Sequence, residues 1–454
     1  MYAARVHPVA SGDSNAREPR APQVATRRIP IMPAERRVRI SGIGVVSPLG
    51  QNRELTWQRL IVGERALRWL TDDEAASRSA SLWPDRAVGA PALLPADLSQ
   101  RVAALRPPQE CLAALAEPVI AQACAASLEA IDDARLRWSD LDLDRVGCVI
   151  GTSKGGVRSF EQLCRPPVSE TVFPFSWLRA WPDGAATVVA SMLGLRGPVL
   201  TPVTACATGL SSIVRGVDLI RDNVCDIVIA GSSDASLTPA MLASFRRLGV
   251  LAKGFDDPAT AVRPFDRRRS GFLMGEGSGV FVLEAAEHAL ARQQRGYAEW
   301  LGGGCLSDAA GLTQLSSEPD TLVRLIHDSL RRSSITPSDL DVISLHGTAT
   351  PSNDQLEARA IRAALGAAAD RVSCFSVKGA IGHLLGAAGS VEFAAMLLAM
   401  RDGIVPATTN LTEPDSGFDL DFVAGQSKSR RVDVAMKLSL GFGGHLVAGV
   451  VGRV

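Results

Sequence analysis

The chain is short of aromatic residues, with only two tyrosines in 454 residues and a total of 5% Phe, Trp and Tyr. So few rings leave little from which to build the stacking platforms that bind single-stranded nucleic acid. There is no surplus charge of either sign. Forty-eight Lys and Arg balance 48 Asp and Glu, so no bulk field draws the chain to nucleic acid or to an anionic membrane. None of the eight cysteines forms a C-x-x-C pair. That argues against a zinc site or other metal centre and against a disulfide framework, and points to a reducing, cytoplasmic compartment. No apolar run suits a membrane span. The longest, 384–400, is broken by Ser390 and Glu392 and reads as a buried helix. The N-terminus lacks the uninterrupted apolar core of a secretory signal.

What is present is an ordinary globular composition, 46% hydrophobic and 21% charged, in a chain long enough for two or three domains or one double-cored unit. Residues 1–36 are rich in Arg, Pro and Ala without apolar periodicity and are expected to form a disordered N-terminal extension. Met32 stands just before the first strand, and one reading starts translation there; the rival readings are an Arg-rich organelle-type presequence and a genuine flexible tail. From residue 38 onward, short β-branched runs alternate with amphipathic stretches. Strands are expected at 38–50, 146–151, 197–203, 226–231 and 279–283, then at 298–305, 342–345, 372–377, 432–440 and 446–451. Helices are expected at 55–61, 110–131, 183–193, 210–220, 284–295, 321–332, 354–365 and 383–401, and residues 66–105 as a surface excursion. This rhythm implies an α/β fold with mainly parallel, doubly covered sheets. No literal repeat is visible, yet the halves 37–285 and 286–454 have a similar order of elements. The glycine triplet Gly302-Gly303-Gly304 reads as a bend, and Gly275-Glu276-Gly277-Ser278-Gly279 as a turn with close backbone packing rather than a phosphate loop.

Cys206 lies in Val203-Thr204-Ala205-Cys206-Ala207-Thr208-Gly209, between an apolar run and a helix. A thiol at a helix start meets unpaired N–H groups and the positive end of the dipole, both of which favour thiolate, the nucleophilic form. A lone cysteine there is more often a buried structural residue. Two of the six histidines change that balance. His346 follows the strand at 342–345, and His383 follows Gly382 after the strand at 372–377. Ligands in open α/β sheets bind at the carboxyl ends of strands, so these three groups can converge on one pocket. A thiolate that accepts an acyl group, facing two imidazoles that stabilise an enolate, suits acyl transfer followed by carbanion attack. Lys378 is placed to tune His383, or else is an ordinary solvated lysine. Gly441-Phe442-Gly443-Gly444 joins the last two strands as an oxyanion-binding loop, a gate or a plain turn. Arg267-Arg268-Arg269 reads as solvated, near the site and able to meet an acidic partner.

The chain resembles a beta-ketoacyl-acyl carrier protein synthase of the elongating, synthase II type, in the thiolase superfamily. The resemblance rests on Gly42-Ile43-Gly44-Val45-Val46-Ser47-Pro48-Leu49-Gly50, on Thr204-Ala205-Cys206-Ala207-Thr208-Gly209, and on Arg263-Pro264-Phe265-Asp266 with Gly271-Phe272. It continues through Gly275-Glu276-Gly277, His346-Gly347-Thr348-Ala349-Thr350, Lys378 to His383 with Leu384-Leu385-Gly386-Ala387-Ala388-Gly389, and Gly441-Phe442-Gly443-Gly444. It implies a thiolase-like, five-layered α/β/α/β/α fold of two similar halves, the nucleophile in the first and the His, His, Lys and gating loop in the second. It implies Cys206 as the acylated nucleophile, His346 and His383 as the pair that assists decarboxylation of a malonyl thioester, and Lys378 as their support. Asp354 and Glu357 would hold the Lys and His network, and Thr348 and Thr350 would bind a phosphopantetheine arm. The N–H groups of Cys206 and Phe442 would form the oxyanion hole beside Gly443. No metal or free cofactor is implied, because the pantetheine arrives on the acyl carrier protein. A homodimer is implied, with a heterodimer as the alternative. Competing readings are a specialised polyketide synthase, a non-catalytic partner subunit, which Cys206 opposes, and a thiolase. Two positions depart from the family pattern: Ser270 stands where Asp is common, and Leu446 where Asn is usual. Arg246, Arg247 and Lys253 are candidates for meeting an acidic carrier.

Overall fold

The computed structural model describes residues 36–77, 87–164 and 176–454. The expected extension at 1–36, apart from Arg36, and the start at Met32 lie outside the described residues. Arg36 is pinned by ion pairs to Asp226 (2.8 Å) and Glu287 (2.5 Å).

One mixed sheet organises the fold. Its strands are β1 (Val38–Val46), β2 (Val146–Gly151), β3 (Val199–Leu200), β4 (Ile227–Asp234) and β5 (Gly277–Ala285) from the first part of the chain. The second part adds β6 (Ala298–Ser307), β7 (Val342–Ser344), β8 (Ser373–Phe375), β9 (Val434–Gly441) and β10 (His445–Arg453). The order across the sheet is β8-β7-β9-β10-β6-β1-β5-β4-β2-β3. Counted inward from either edge, two parallel pairings are followed by two antiparallel ones, and the halves join through the antiparallel pair β6–β1. The expectation of mainly parallel strands is thus corrected to a mixed sheet. A strand's direction depends on how distant chain segments return, which its own residues do not encode.

Helices stack in three layers around the two halves. The first outer layer is α1 (Pro118–Ala134) and α2 (Gly184–Leu193), packed on β1, β5, β4 and β2. The middle layer is α3 (Thr208–Arg221) and α7 (Ala388–Asp402), which touch each other and both halves of the sheet. The second outer layer is α4 (Asp320–Arg332), packed on β6 and β10, with α5 (Pro351–Leu365) against it. α6 (Lys378–Ile381) is a single turn at the edge of the middle layer. These are the five layers of the thiolase-like fold. Val119, Ile120, Leu128 and Ile131 of α1 are all buried, each contributing about 1.5–3 kcal/mol of transfer free energy.

Several expected elements shift. The helix at 110–131 is two, Gln109–Ala114 and α1, because Pro118 has no N–H to continue the first and starts the second at its N1 position. The strand at 197–203 shrinks to β3 at the sheet edge, with Val199 and Val203 exposed. Residues Gly302–Gly304 lie within β6 rather than in a bend, paired with Gly449 and its neighbours on β10. The 66–105 stretch is not wholly superficial: Leu67, Leu70, Ala87, Val88, Ala90, Leu98 and Val102 are buried, and Leu70 packs with Phe272 and Leu385 beside the candidate site.

Candidate active site

Cys206 sits in a tight 3-10 turn, Ala205–Ala207, that runs directly into α3. Ala205 adopts φ 48°, a left-handed conformation that costs a non-glycine residue about 1–3 kcal/mol and tends to occur at functional sites. Thr208 holds the turn: its hydroxyl donates to the Ala205 carbonyl (2.8 Å) and accepts from the Thr204 N–H (2.9 Å). A Cβ at Gly209 would lie 2.4 Å from the Ser390 nitrogen, so glycine is what allows the start of α3 to meet the start of α7. Burial pushes the Cys206 thiol up to about 11, and the Lys154 and Lys378 ammoniums pull it back only in part. The expectation that a helix start by itself gives thiolate is therefore corrected: desolvation of the anion outweighs it. Alkylation of Cys206 by iodoacetamide should accordingly accelerate about tenfold per pH unit between roughly pH 7 and 10. Intact-mass kinetics would show this, whereas a plateau near neutral pH would mean that the thiolate already exists in the resting site.

His346 stands two residues past the end of β7. Its loop is braced by Glu357 on α5, whose carboxylate accepts from the N–H of His346 (2.7 Å) and of Gly347 (2.6 Å). Asp354, one turn earlier, accepts from the N–H of Phe265 (2.8 Å) and Ala349 (3.2 Å). Asn353, which the sequence reading did not single out, links the two carboxylates through its side-chain amide. Burial raises both carboxyls, Asp354 to about 7. These acids hold the His346–Ala349 backbone and do not bond Lys378, as the resemblance implied. Lys378 instead reaches Glu392 on α7 and donates to the His346 carbonyl. It is fully buried, not solvated.

His383 does not open a helix as expected. The run at 383–401 is interrupted: α6 ends before Gly382, Leu385 takes φ 48°, and α7 starts only at Ala388. His383 lies in this break. Its N–H donates to the Leu273 carbonyl (2.8 Å), and its Nδ1 accepts from the Leu385 N–H (3.2 Å). An Nδ1 that accepts must lack a proton, so in the neutral ring Nε2 carries it and is a donor. Burial, then the Lys378 charge, lowers both imidazoles well below the usual histidine range, and both are neutral at pH 7. The two rings meet edge-on, with centroids 5.5 Å apart and planes at 79°.

Cys206, His346, His383, Thr348, Thr350, Gly441 and Phe442 line one cavity of about 290 Å³. The two threonine hydroxyls are 2.7 Å apart. A Cβ at Gly441 would lie 2.5 Å from the Thr204 carbonyl oxygen and 3.2 Å from the Cys206 nitrogen. The glycine loop thus lies against the Cys206 turn. Phe442 packs at the rim with Phe272 and Leu385. The loop is tied by the Gly443 N–H donating to the Leu312 carbonyl (2.8 Å) and the Asp308 N–H donating to the Gly444 carbonyl (3.0 Å). Leu446, at the position of the usual Asn, is buried opposite Leu306 and Leu440. The anchoring thus comes from the 308–312 segment instead. Ser270 plays a local part, accepting from the Lys253 N–H and donating to its carbonyl. Arg269 is buried against Asp415 (2.6 Å) and the Phe418 ring, not solvated, and Arg267 pairs with Glu413 (2.6 Å). Sequence reading took Glu392 only as a break in an apolar run and passed over Lys437, although each is a lone charge among apolar residues.

Comparison with known proteins agrees with this geometry. The family model for the beta-ketoacyl synthase N-terminal domain matches residues 35–289, and that for the C-terminal domain matches 297–412. The chain is 35% identical to the 3-oxoacyl-[acyl-carrier-protein] synthase 2 of Coxiella burnetii, covering 92% of this chain and 99% of that protein. It is equally 35% identical to the tetracenomycin polyketide synthase ketoacyl synthase alpha subunit of Streptomyces glaucescens, over 92% and 98%. Among solved structures, a type II polyketide ketosynthase in complex with its acyl carrier protein superposes with a TM-score of 0.82 at 29% identity, covering 92% of this chain and all of that one. The ishigamide ketosynthase/chain length factor superposes with a TM-score of 0.80 at 31% identity, over 93% of this chain and all of that one. With the Cys206 turn, the two imidazoles and the glycine loop around one cavity, these matches establish that the chain belongs to the beta-ketoacyl synthase family of acyltransferases.

Proposed function

We propose that the protein joins an acyl chain carried on Cys206 to a malonyl unit delivered by an acyl carrier protein, giving a 3-oxoacyl thioester and carbon dioxide. The observation that carries this reading is the convergence of Cys206, His346 and His383 on one cavity. In the first half-reaction the Cys206 sulfur attacks the carrier thioester, and the pantetheine thiol leaves with a proton. In the second, the carboxylate of malonyl thioester leaves as carbon dioxide, and its bonding pair passes into the enolate. The Nε2–H of His383 and the imidazole N–H of His346 hold the enolate oxygen as charge develops there. The enolate carbon then attacks the Cys206 thioester, whose oxyanion is held by the N–H groups of Cys206 and Phe442, and the Cys206 sulfur leaves. Lys378 supports His346, and Thr348 and Thr350 bond the phosphopantetheine arm. No metal or free cofactor enters the scheme.

Arg246, Arg247 and Lys253 are exposed on the segment whose Val250 lines the cavity, where an acidic carrier protein would be steered to the entrance. The two parts of the chain, 37–285 and 286–454, supply the nucleophile and the imidazole pair respectively. β3 leaves an open sheet edge among the described residues, with Val199 exposed on it and Val203 just beyond. That supports a dimer, homomeric or with a related partner subunit. The free cysteines suit a reducing, cytoplasmic setting. The test is to incubate the purified protein with acyl and malonyl carrier proteins and read the products by intact mass. A carrier bearing a 3-oxoacyl chain two carbons longer is expected; acylated enzyme with no condensed product would overturn the reading.

A further inference from the structure

Lys437 on β9 is an ionisable residue in the core that the scheme above leaves without a role. It is fully buried. Its ammonium donates to the carbonyl of Leu345 (2.8 Å) and more weakly to that of Ser344 (3.4 Å), and forms an ion pair with Glu392 Oε2 (2.6 Å). The other oxygen of that carboxylate, Oε1, belongs to Lys378, which also donates to the His346 carbonyl. Two lysines on one carboxylate therefore hold three successive carbonyls, 344, 345 and 346, that lead into the His346 imidazole. From the far side, Glu357 holds the N–H groups of His346 and Gly347. The strand end before His346 is thus clamped on its carbonyl side by cations and on its amide side by an anion.

Burying an ammonium is expensive unless it is paired, and one carboxylate does not neutralise two lysines. A structural filler of this strand position needs no charge at all. A second cation under the imidazoles does have an effect: it repels a proton from both rings. Both His346 and His383 feel Lys437 as well as Lys378. The charged and titratable groups that face Lys437 are Lys378 on α6, Glu392 on α7, Glu357 on α5, and the two imidazoles.

We propose that Lys437 is a positioning residue for the condensation half-reaction, which, with Lys378 across the shared Glu392, fixes the His346 carbonyl strand and keeps both imidazoles neutral. This rests on the reaction scheme above. It predicts a division of effects, because Cys206 acylation uses neither imidazole as an oxyanion donor while condensation uses both. Burial brings the Lys437 ammonium down to about 8, so the clamp weakens as pH rises through that value.

The experiment compares wild type, Lys437→Met and Lys437→Arg in three measurements. They are acylation from acyl carrier protein, condensation with malonyl carrier protein between roughly pH 6 and 9.5, and 15N NMR titration of the histidines. Lys437→Met should acylate within about threefold of wild type but condense at least about tenfold more slowly, and Lys437→Arg should recover most of that loss. The wild-type ratio of condensation to acylation should fall above about pH 8, and the ratio for Lys437→Arg should stay flat there. In the titration, two imidazoles that remain neutral in wild type should take up a proton at measurably higher pH in Lys437→Met. Equal losses in both half-reactions, or unchanged imidazoles in Lys437→Met, overturn the proposal. If neither variant folds, the wild-type ratio decides it, and a ratio flat across pH 8 counts against. If wild type makes no condensed product, the reaction scheme fails, and the histidine titration still decides whether Lys437 keeps the imidazoles neutral.

Discussion

Cys206→Ala should abolish the acyl-enzyme. The sulfur is the one thiol that lines the cavity together with both imidazoles, and alanine offers no lone pair to attack a thioester. Overall condensation should fall by at least about a thousandfold, equivalent to roughly 4 kcal/mol or more of transition-state stabilisation. The fold should hardly notice. The sulfur is a small group at the cavity wall, and its removal costs about 1 kcal/mol or less, so the melting temperature should stay within a few degrees. Intact mass after incubation with acyl carrier protein is the direct check. An acyl adduct that persists in Cys206→Ala would move the nucleophile elsewhere, with the exposed Cys164 and Cys305 the first places to look.

His383→Ala should separate the two halves of the reaction. Acylation of Cys206 should continue within a few-fold of wild type, while condensation drops by about 10² to 10³, the usual loss when one oxyanion donor is removed. The reasoning starts from the tautomer. Nδ1 accepts from the Leu385 N–H, so Nε2 bears the proton and is the atom free to donate. The ring is buried and packs edge-on to Phe272, 4.8 Å between centroids. Its loss therefore leaves a small cavity and an unpartnered Leu385 N–H, together costing about 2–4 kcal/mol of stability. Thermal melts must accompany the kinetics for that reason, and His383→Gln, which keeps a polar side chain, serves as the control. Undiminished condensation in a folded variant would remove His383 from the enolate site, as would an equal loss of acylation.

Much of this site was legible in the sequence because its reactive groups sit where regular structure stops. Cys206 marks a strand-to-helix passage, and His346 and His383 follow short strands among Gly, Ala and Thr. Local punctuation of this kind survives in a linear reading. What did not survive depends on contacts at long range. Glu392 read as an interruption of an apolar run, yet it is the carboxylate on which two buried lysines meet. Lys437 read as an unremarked polar residue in a closing strand, because nothing near it in sequence shows that its ammonium ends on the Leu345 carbonyl. The thiolate expected from the helix start is overridden by burial, which no local pattern reports. Strand direction failed for the same reason: β1 pairs antiparallel with β5 and β6, segments that come more than two hundred residues later.

That pairing has a consequence for how the protein is made. Val38 lies opposite both Ala285 and Trp300, so β1 has no partner strand until some 250 residues later in synthesis. At about 5–20 residues per second that is a wait on the order of 10–50 seconds. During it, an apolar strand, buried on both faces in the finished protein, has α1 to pack on but no neighbour along either edge. Closing a sheet over such separations is slow, and the middle helices α3 and α7, which bring Cys206 and the His383 segment together, meet only after both halves exist. Synthesis should therefore place this chain among those that need a holding chaperone, and a chain stopped near residue 290 should carry the nucleophile but no competent site.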